Sequence, residues 1–494
     1  MGGPLMATFI ETLQSAVGLG GGIYARRPRL FSNFITTGVF GVWAGSTYMR
    51  LSAAVPPTRA GQAELSRYDV DLTGLDTFGP VDFMSPMDFP PDEPNDGQTF
   101  LVDGAMNQDG VICVVMGQQD EETGAAAGYD VGVVPYDPAT GLWGNAVVLG
   151  YLGSFDRSGT AATETNFRET EHGGLKIVTL RSGKFLIVAA TNSGIIQWLG
   201  DKSGRNWSGA QLIKAGVANQ FKGTKIDAHV DTGNRLVIMY DEHETLVLAD
   251  RAIRRITMLS GGRPRIEEEE TVILSDGSYY PRWPSFVVNP FNTESMDLVY
   301  AWKDGTEDYA RVQQRRNATW GTPIDLFTPG VGRHTPRTDP VILLDDRRTR
   351  HIAYCRRTGL GVQNLFYKSM TEDGLLGSET IVAQTTYNGS AEFGADPTRH
   401  PAVEFPSIAY LPKYDKIVVA WDAQVGGGGN PNHVVRFAYS NDAVSGVRLE
   451  EPEFTADCFS VHCPGNHGHT QQLDVQETGV TEGLGLRSET WWEN

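Results

Sequence analysis

The chain has 494 residues, 40% of them hydrophobic, with 57 glycines, 26 prolines and a formal charge of −19. That acidity repels nucleic-acid phosphates and anionic lipid, so neither is an expected partner. Glycine and proline spread along the whole length predict many turns and strands in place of long helices, and four cysteines are too few for a disulfide scaffold.

Residues 1–98 show no repeat. No basic stretch followed by an apolar core marks a classical signal peptide. The segment FITTGVFGVWAGSTY, Phe34 to Tyr48, is apolar but short for a membrane span and rich in Gly and Thr. It reads as part of an ordered arm or a buried strand, with no membrane span expected. MSPMDFPPDEPNDGQ, from Met84, predicts an extended linker or wrapping arm. Residues 1–98 are therefore taken as an irregular N-terminal arm that could dock the protein into an assembly.

Between residues 99 and 457 six runs share one pattern of aliphatic residues closed by a polar pair. They start at Val111 (VICVVMGQ), Phe185 (FLIVAATN), Arg235 (RLVIMYDE), Asp297 (DLVYAWKD), Arg350 (RHIAYCRR) and Lys416 (KIVVAWDA). Their spacing averages about 60 residues, room for one four-stranded unit each. Upstream strands such as LKIVTL and PSIAYL meet these runs through polar turns, which predicts hairpins. Third strands such as YDVGVVPY, GIIQWLG and YARVQQR follow. A turn often ending in an aromatic comes next (Asp137–Trp143, Asp201–Trp207, Arg316–Trp320), and then a short last strand. A four-stranded unit cannot bury both faces alone, whereas a closed ring of such units can. The predicted fold is all-β: a β-propeller of about six four-stranded blades over 99–457, with a C-terminal tail from 458 to 494.

The module of third strand, turn and fourth strand resembles the Asp-box of the sialidase/BNR-repeat propellers, diverged, with its nearest versions at Asp201–Trp207, Ser440-Asn-Asp442 and Asp137–Trp143. PSIAYLPKYDKIVVAWDA, Pro406 to Ala423, is similar to that superfamily's blade opening. The resemblance implies that the Asp ties the turn and the aromatic packs beneath it. It also implies a ligand site at the mouth of the central channel. Sialidase-like enzymes clamp a substrate carboxylate with three arginines from separate blades. The corresponding candidates are Arg282, Arg333 or Arg337, and Arg399, with His400 beside the last. A guanidinium fork suits a carboxylate because two parallel hydrogen bonds form. Tyr280, Glu171 and Asp227 (with Glu169, His172 and His229 nearby) are the candidates for acid or nucleophile. A polysaccharide lyase would instead draw on His334, Tyr280 and Arg282.

No nucleotide or dinucleotide loop, nucleophile elbow or zincin helix occurs, and no cofactor is expected. Cys458 and Cys463 form C-x4-C, with His467 just after, a set of zinc-ligand types. The spacing fits a local disulfide or free thiols better than a zinc site. Cys113 and Cys355 lie inside apolar runs and read as buried thiols.

Two functions remain. The main expectation is a non-enzymatic propeller that binds a glycan or surface receptor. It would be a component of a virion, such as a phage particle, or of a cell-surface appendage, forming a homo-oligomer or docking on other structural proteins through residues 1–98. The degenerate turns and the absence of a complete catalytic set favour it. The alternative is a sialidase-like glycoside hydrolase, or a lyase, acting on an acidic glycan.

Overall fold

The computed structural model describes residues 23–31, 39–49, 58–70, 76–83, 98–119, 129–137, 142–145, 147–151, 174–191, 194–215, 225–242, 250–289, 292, 294–303, 308–327, 339–359, 362–383, 403–411, 416–425, 432–440 and 454–458. Every named element among them is a strand.

The six apolar runs become the second strands of six antiparallel units, each built in sequence order. The first unit runs from Gln98–Met106 through Ile112–Gln119 and Tyr129–Asp137 to Val147–Tyr151. The second comprises Leu175–Thr179, Phe185–Thr191, Gly194–Leu199 and Gln211–Ala215. The third is Ile226–Val230, Arg235–Glu242, Ala252–Leu259 and Ile266–Leu274. Tyr280–Val288, Val341–Leu344 and Val403–Leu411 open the fourth, fifth and sixth. Each opening strand packs against the opening strand of the next unit, which is the arrangement of propeller blades around a channel.

The second strands are apolar on both faces because each is sandwiched between two blades. Along Arg235–Glu242, Leu236, Ile238 and Tyr240 join the core shared with the second blade, while Val237 and Met239 join the core shared with the fourth. The period of two along a strand makes this division automatic. Equivalent cores join the first blade to the second, the fourth to the fifth, and the fifth to the sixth. Cys113 and Cys355 are buried thiols, outside any disulfide, within two of these cores, as expected. At Gly204 (φ +68°) an added Cβ would lie 2.1 Å from the Cys113 Sγ, so the first and second blades meet at a point that only glycine allows.

Polar links also cross between blades. Asn107 Nδ2 donates to the carbonyls of Gly183 (3.0 Å) and Lys202 (2.8 Å) in the second blade. Arg350 Nε of the fifth blade pairs with Asp297 of the fourth at 2.6 Å. The turn at Asp201 is held by its own carboxylate, which accepts from Ser203 Oγ (2.8 Å) and Asn206 Nδ2 (2.6 Å). Trp207 Nε1 then donates to the Gly204 carbonyl at 2.8 Å.

The N-terminal segment departs from the expectation of an irregular arm. Ile23–Phe31, Val39–Met49, Thr58–Val70 and Asp76–Phe83 form a four-stranded antiparallel meander. The strand within Phe34–Tyr48 is thus present, and Met84–Gln98 falls largely outside the described residues. Tyr24 pairs in parallel with His433, making the meander continuous with the sixth blade. Its opening strand packs on one side against Val403–Leu411 and Lys416–Val425, and on the other against Gln98–Met106. It therefore occupies the place of a further blade between the sixth and the first.

A shared bulge supports this equivalence. In Tyr280–Val288 the register slips by one residue between Arg282 and Ser285, and in Val403–Leu411 between Glu404 and Ser407. In Ile23–Phe31 it slips between Arg26 and Arg29. All three intervals carry proline in the third place: Pro284, Pro406 and Pro28. Proline cannot donate to a ladder, so it belongs at a bulge. The residue before it takes a left-handed backbone at Trp283 (φ 53°) and Phe405 (φ 50°), a strained state for an aromatic residue.

Candidate functional site

The opening strands bring ionisable side chains from several blades together. Asp103 comes from the first, Lys176 from the second, and Lys225, Asp227 and His229 from the third. Asp241 ends the second strand of the third blade. Arg282 comes from the fourth, Asp339 stands just before the fifth, and Arg29 belongs to the N-terminal meander. The strand around Asp227 shows how the sequence does this. Ile226, Ala228 and Val230 turn into the apolar core, so the alternate residues Lys225, Asp227 and His229 project from the other side.

Asp227 is buried, 7% exposed. Its Oδ1 lies 3.6 Å from Lys176 Nζ, and its Oδ2 lies 3.6 Å from His229 Nε2. Oδ2 also accepts the backbone N–H of Phe286 at 3.0 Å, and Oδ1 that of Ala228 at 3.0 Å. Burial pushes this carboxyl up, but Lys176, His229 and the N–H of Phe286 outweigh it, holding it well below the usual carboxylate range. Lys176 also reaches Asp103 at 3.6 Å. Burial lowers its ammonium, and the two aspartates more than reverse this, so it stays charged.

Asp241 has the opposite balance. It is 1% exposed, and burial raises its carboxyl above the usual range despite Arg282 and several backbone N–H donors. Lys225 N donates to its Oδ1 at 2.5 Å, and Arg282 Nε approaches its Oδ2 at 3.4 Å. The two carboxyl groups of this blade are therefore shifted in opposite directions, Asp227 down by its cationic and N–H partners and Asp241 up by burial. His229 is the accessible member of the group, its side chain 38% exposed and its ring edge-on to Phe286 at 4.7 Å.

Of the residues singled out from sequence, Asp227, His229 and Arg282 are brought to this site. Arg282 is buried, with its guanidinium 5.3 Å from the Trp283 ring centroid as well as beside Asp241. Tyr280 is buried under the guanidinium of Arg251, 4.2 Å from its ring centroid. Glu169, Glu171, His172, Arg333, His334, Arg337, Arg399, His400, Cys463 and His467 lie outside the described residues. Cys458 ends the last strand of the sixth blade. Among the described residues no group of three or more His, Cys, Asp or Glu could hold a metal ion, and no helix is long and apolar enough to cross a membrane.

Sequence reading missed Asp103, Lys176, Lys225, Asp241 and Arg29. The signal available was alternation: Lys225-Ile-Asp-Ala-His229 places a charged or polar residue at every second position of a half-apolar strand.

No family model matches this chain, and no curated protein does. Solved structures with a similar chain path include a protein of unknown function from Dyadobacter fermentans DSM 18053 (10% identity, TM-score 0.45, covering 83% of this chain and 93% of that one). An alpha-L-arabinanase from Penicillium chrysogenum complexed with arabinobiose matches with 12% identity and a TM-score of 0.43, over 68% of this chain and 92% of that one. The endo-arabinase from Bacteroides thetaiotaomicron VPI-5482 gives 11% identity and a TM-score of 0.34, over 53% and 92% respectively. Likeness at these identities and TM-scores transfers no residue role or substrate to this chain.

Proposed function

We propose that the channel mouth is a carbohydrate site and that the protein is a glycoside hydrolase acting on an acidic glycan. One observation carries this reading. Asp227 and Asp241, on neighbouring strands of one blade, are pushed to opposite sides of the ordinary carboxylate range. Two carboxyl groups tuned apart in this way are what glycosidic cleavage needs, an acid for the leaving oxygen and a carboxylate for the opposite face of the sugar. Asp241 would donate the proton, and Asp227 would activate water or attack, with His229 beside it at the open side. Arg282, expected to clamp a substrate carboxylate, is better read as positioning Asp241, to which it is already turned. The turn held by Asp201 and Trp207 supports a sialidase/BNR-type ancestry for the blades.

The test is release of new reducing ends from a panel of uronate- and sialate-containing oligosaccharides. Wild type should release them, and Asp241→Asn and Asp227→Asn should each slow release by a hundredfold or more, the scale of general acid–base catalysis at about 10²–10⁴.

A second reading is the non-catalytic binding module, docked in a virion or cell-surface assembly through residues 1–98. It is favoured by the use Asp227 makes of its oxygens, which already accept from Ala228 and Phe286 while facing Lys176 and His229. A propeller of this kind would bind the same panel and release no reducing ends.

A further inference from the structure

The ring has a seam where its two ends meet, between the N-terminal meander and the sixth blade. Among the described residues, backbone pairing crosses that seam at one place, Tyr24 with His433. Elsewhere Ile23–Phe31 lies against Val403–Leu411 and Lys416–Val425 by packing. What holds such a seam is visible at an equivalent one, between the third and fourth blades.

There a buried carboxyl group of one blade is grasped by the bulge of the next. Asp241 directly follows Tyr240, which packs into the core shared with the second blade. The period of two along the strand therefore puts position 241 on the side of the fourth blade. In the fourth blade, Arg282 is the last paired residue before the slip, opposite Ala301. Its Nε lies 3.4 Å from Asp241 Oδ2, and the backbone N–H of Trp283 donates to the same carboxyl group. Trp283 makes this contact from a left-handed backbone (φ 53°), just ahead of Pro284.

The closing seam carries the same parts in the same order. Asp422 directly follows Trp421, which packs into the core shared with the fifth blade, so position 422 falls on the side of the N-terminal meander. Arg26 is the last paired residue before its own slip, opposite Ala44, and Arg27 precedes Pro28 as Trp283 precedes Pro284. The bulge of the sixth blade opens on Glu404 instead, and the second strand it faces, Arg350–Gly359, contains no aspartate. Across the three bulged strands, arginine at the bulge and aspartate on the facing strand occur together or not at all.

A second sign is independent of this likeness. Asp422 stands directly opposite Glu404 in the ladder of the sixth blade, and like charges so placed are destabilising. A cation from outside the blade offsets them, and the strand packed against both carries Arg26, Arg27 and Arg29.

We propose that the bulge at Arg26-Arg27-Pro28 clasps Asp422 and that this clasp closes the ring. Arg26 takes the part of Arg282, and the N–H of Arg27 takes the part of the Trp283 N–H. The basic strand thereby has its partner within the chain, in the sixth blade. The clasp does not rest on the carbohydrate reading, and it holds whether or not Asp241 gives up a proton.

The experiment is hydrogen–deuterium exchange on the full chain, read in Ile23–Phe31 and Lys416–Val425, with Arg235–Glu242 as the internal reference. Arg26→Asp and Asp422→Arg should each speed exchange at the seam by about tenfold or more, the equivalent of about 1.4 kcal/mol. Combining the two substitutions should restore most of the protection, since opposite charges again face each other. Arg27→Gln should cost less than Arg26→Gln, because Arg27 contributes a backbone N–H. Where the swapped single variants do not fold, Arg26→Gln, Asp422→Asn and their combination form the same cycle, and the combination should lose no more than either alone. Additive losses in the cycle would overturn the proposal, as would seam exchange no faster in the single variants than in wild type. An equal acceleration in Arg235–Glu242 would also overturn it, because the substitutions would then weaken the whole ring and not its seam.

Discussion

Asp227 Oδ2 accepts the backbone N–H of Phe286 at 3.0 Å, tying the opening strand of the third blade to that of the fourth. Asp103 Oδ2 does the same for Ile177 at 2.9 Å between the first and second. An opening strand has one edge turned to the channel, where its N–H groups have no neighbouring strand. A buried donor left unpaired there costs about 1–3 kcal/mol, and the aspartates satisfy it.

Removing this carboxylate should therefore destabilise the ring. Asp227→Ala leaves Lys176 short of one of its two carboxylates and Phe286 without an acceptor, for an expected loss of about 3–5 kcal/mol in urea denaturation. The pH dependence has a fixed sign. The folded carboxyl titrates below its unfolded value of about 3.9, so its stabilisation is complete above that value and disappears as pH falls through the folded value. Acid should cost the wild type more stability than it costs Asp227→Asn.

Lys225 should behave in the opposite way. Its folded value of about 8 lies below the ordinary lysine value of 10.5, so the charged form is disfavoured in the native state. Lys225→Met should stabilise the protein at pH 7 by about 3 kcal/mol, the equivalent of the shift at about 1.4 kcal/mol per unit. The gain should shrink as pH rises from about 8 and vanish above 10.5. Urea midpoints for the two proteins across this range check it.

The hairpin between Asp308–Arg316 and Thr319–Trp320 turns on Asn317 (φ 50°) and Ala318 (φ 65°). Two successive left-handed residues suit Asn-Gly better than Asn-Ala. Ala318→Gly should raise stability by about 1 kcal/mol, since the left-handed state penalises a Cβ by roughly 1–2 kcal/mol. A lower thermal midpoint would contradict the assigned turn.

The second strands were legible because both faces are buried: Arg235–Glu242 presents an unbroken apolar stretch from Leu236 to Tyr240 that a blade between two neighbours requires. The opening strands were harder to see. Ile226–Val230 is apolar on one face only, and Asp227 and His229 interrupt its pattern. Arg26-Arg27-Pro28-Arg29 looks like a basic turn, since proline ordinarily ends a strand, and its role as a bulge emerges only beside Arg282–Ser285 and Glu404–Ser407. The site was half legible for the same reason. Asp227 stood out by position, whereas Lys225 and Asp241 acquire meaning only when their strands pair and the blades close.

Hydrogen–deuterium exchange with and without a mixture of uronate-containing oligosaccharides tests most directly whether the channel mouth is the carbohydrate site. Protection should rise in Ile226–Val230, in the bulge of Tyr280–Val288 and in Ile23–Phe31. It should not change on the outer strands Gln211–Ala215 and Ile266–Leu274. Protection confined to those outer strands, or none anywhere, would contradict the account.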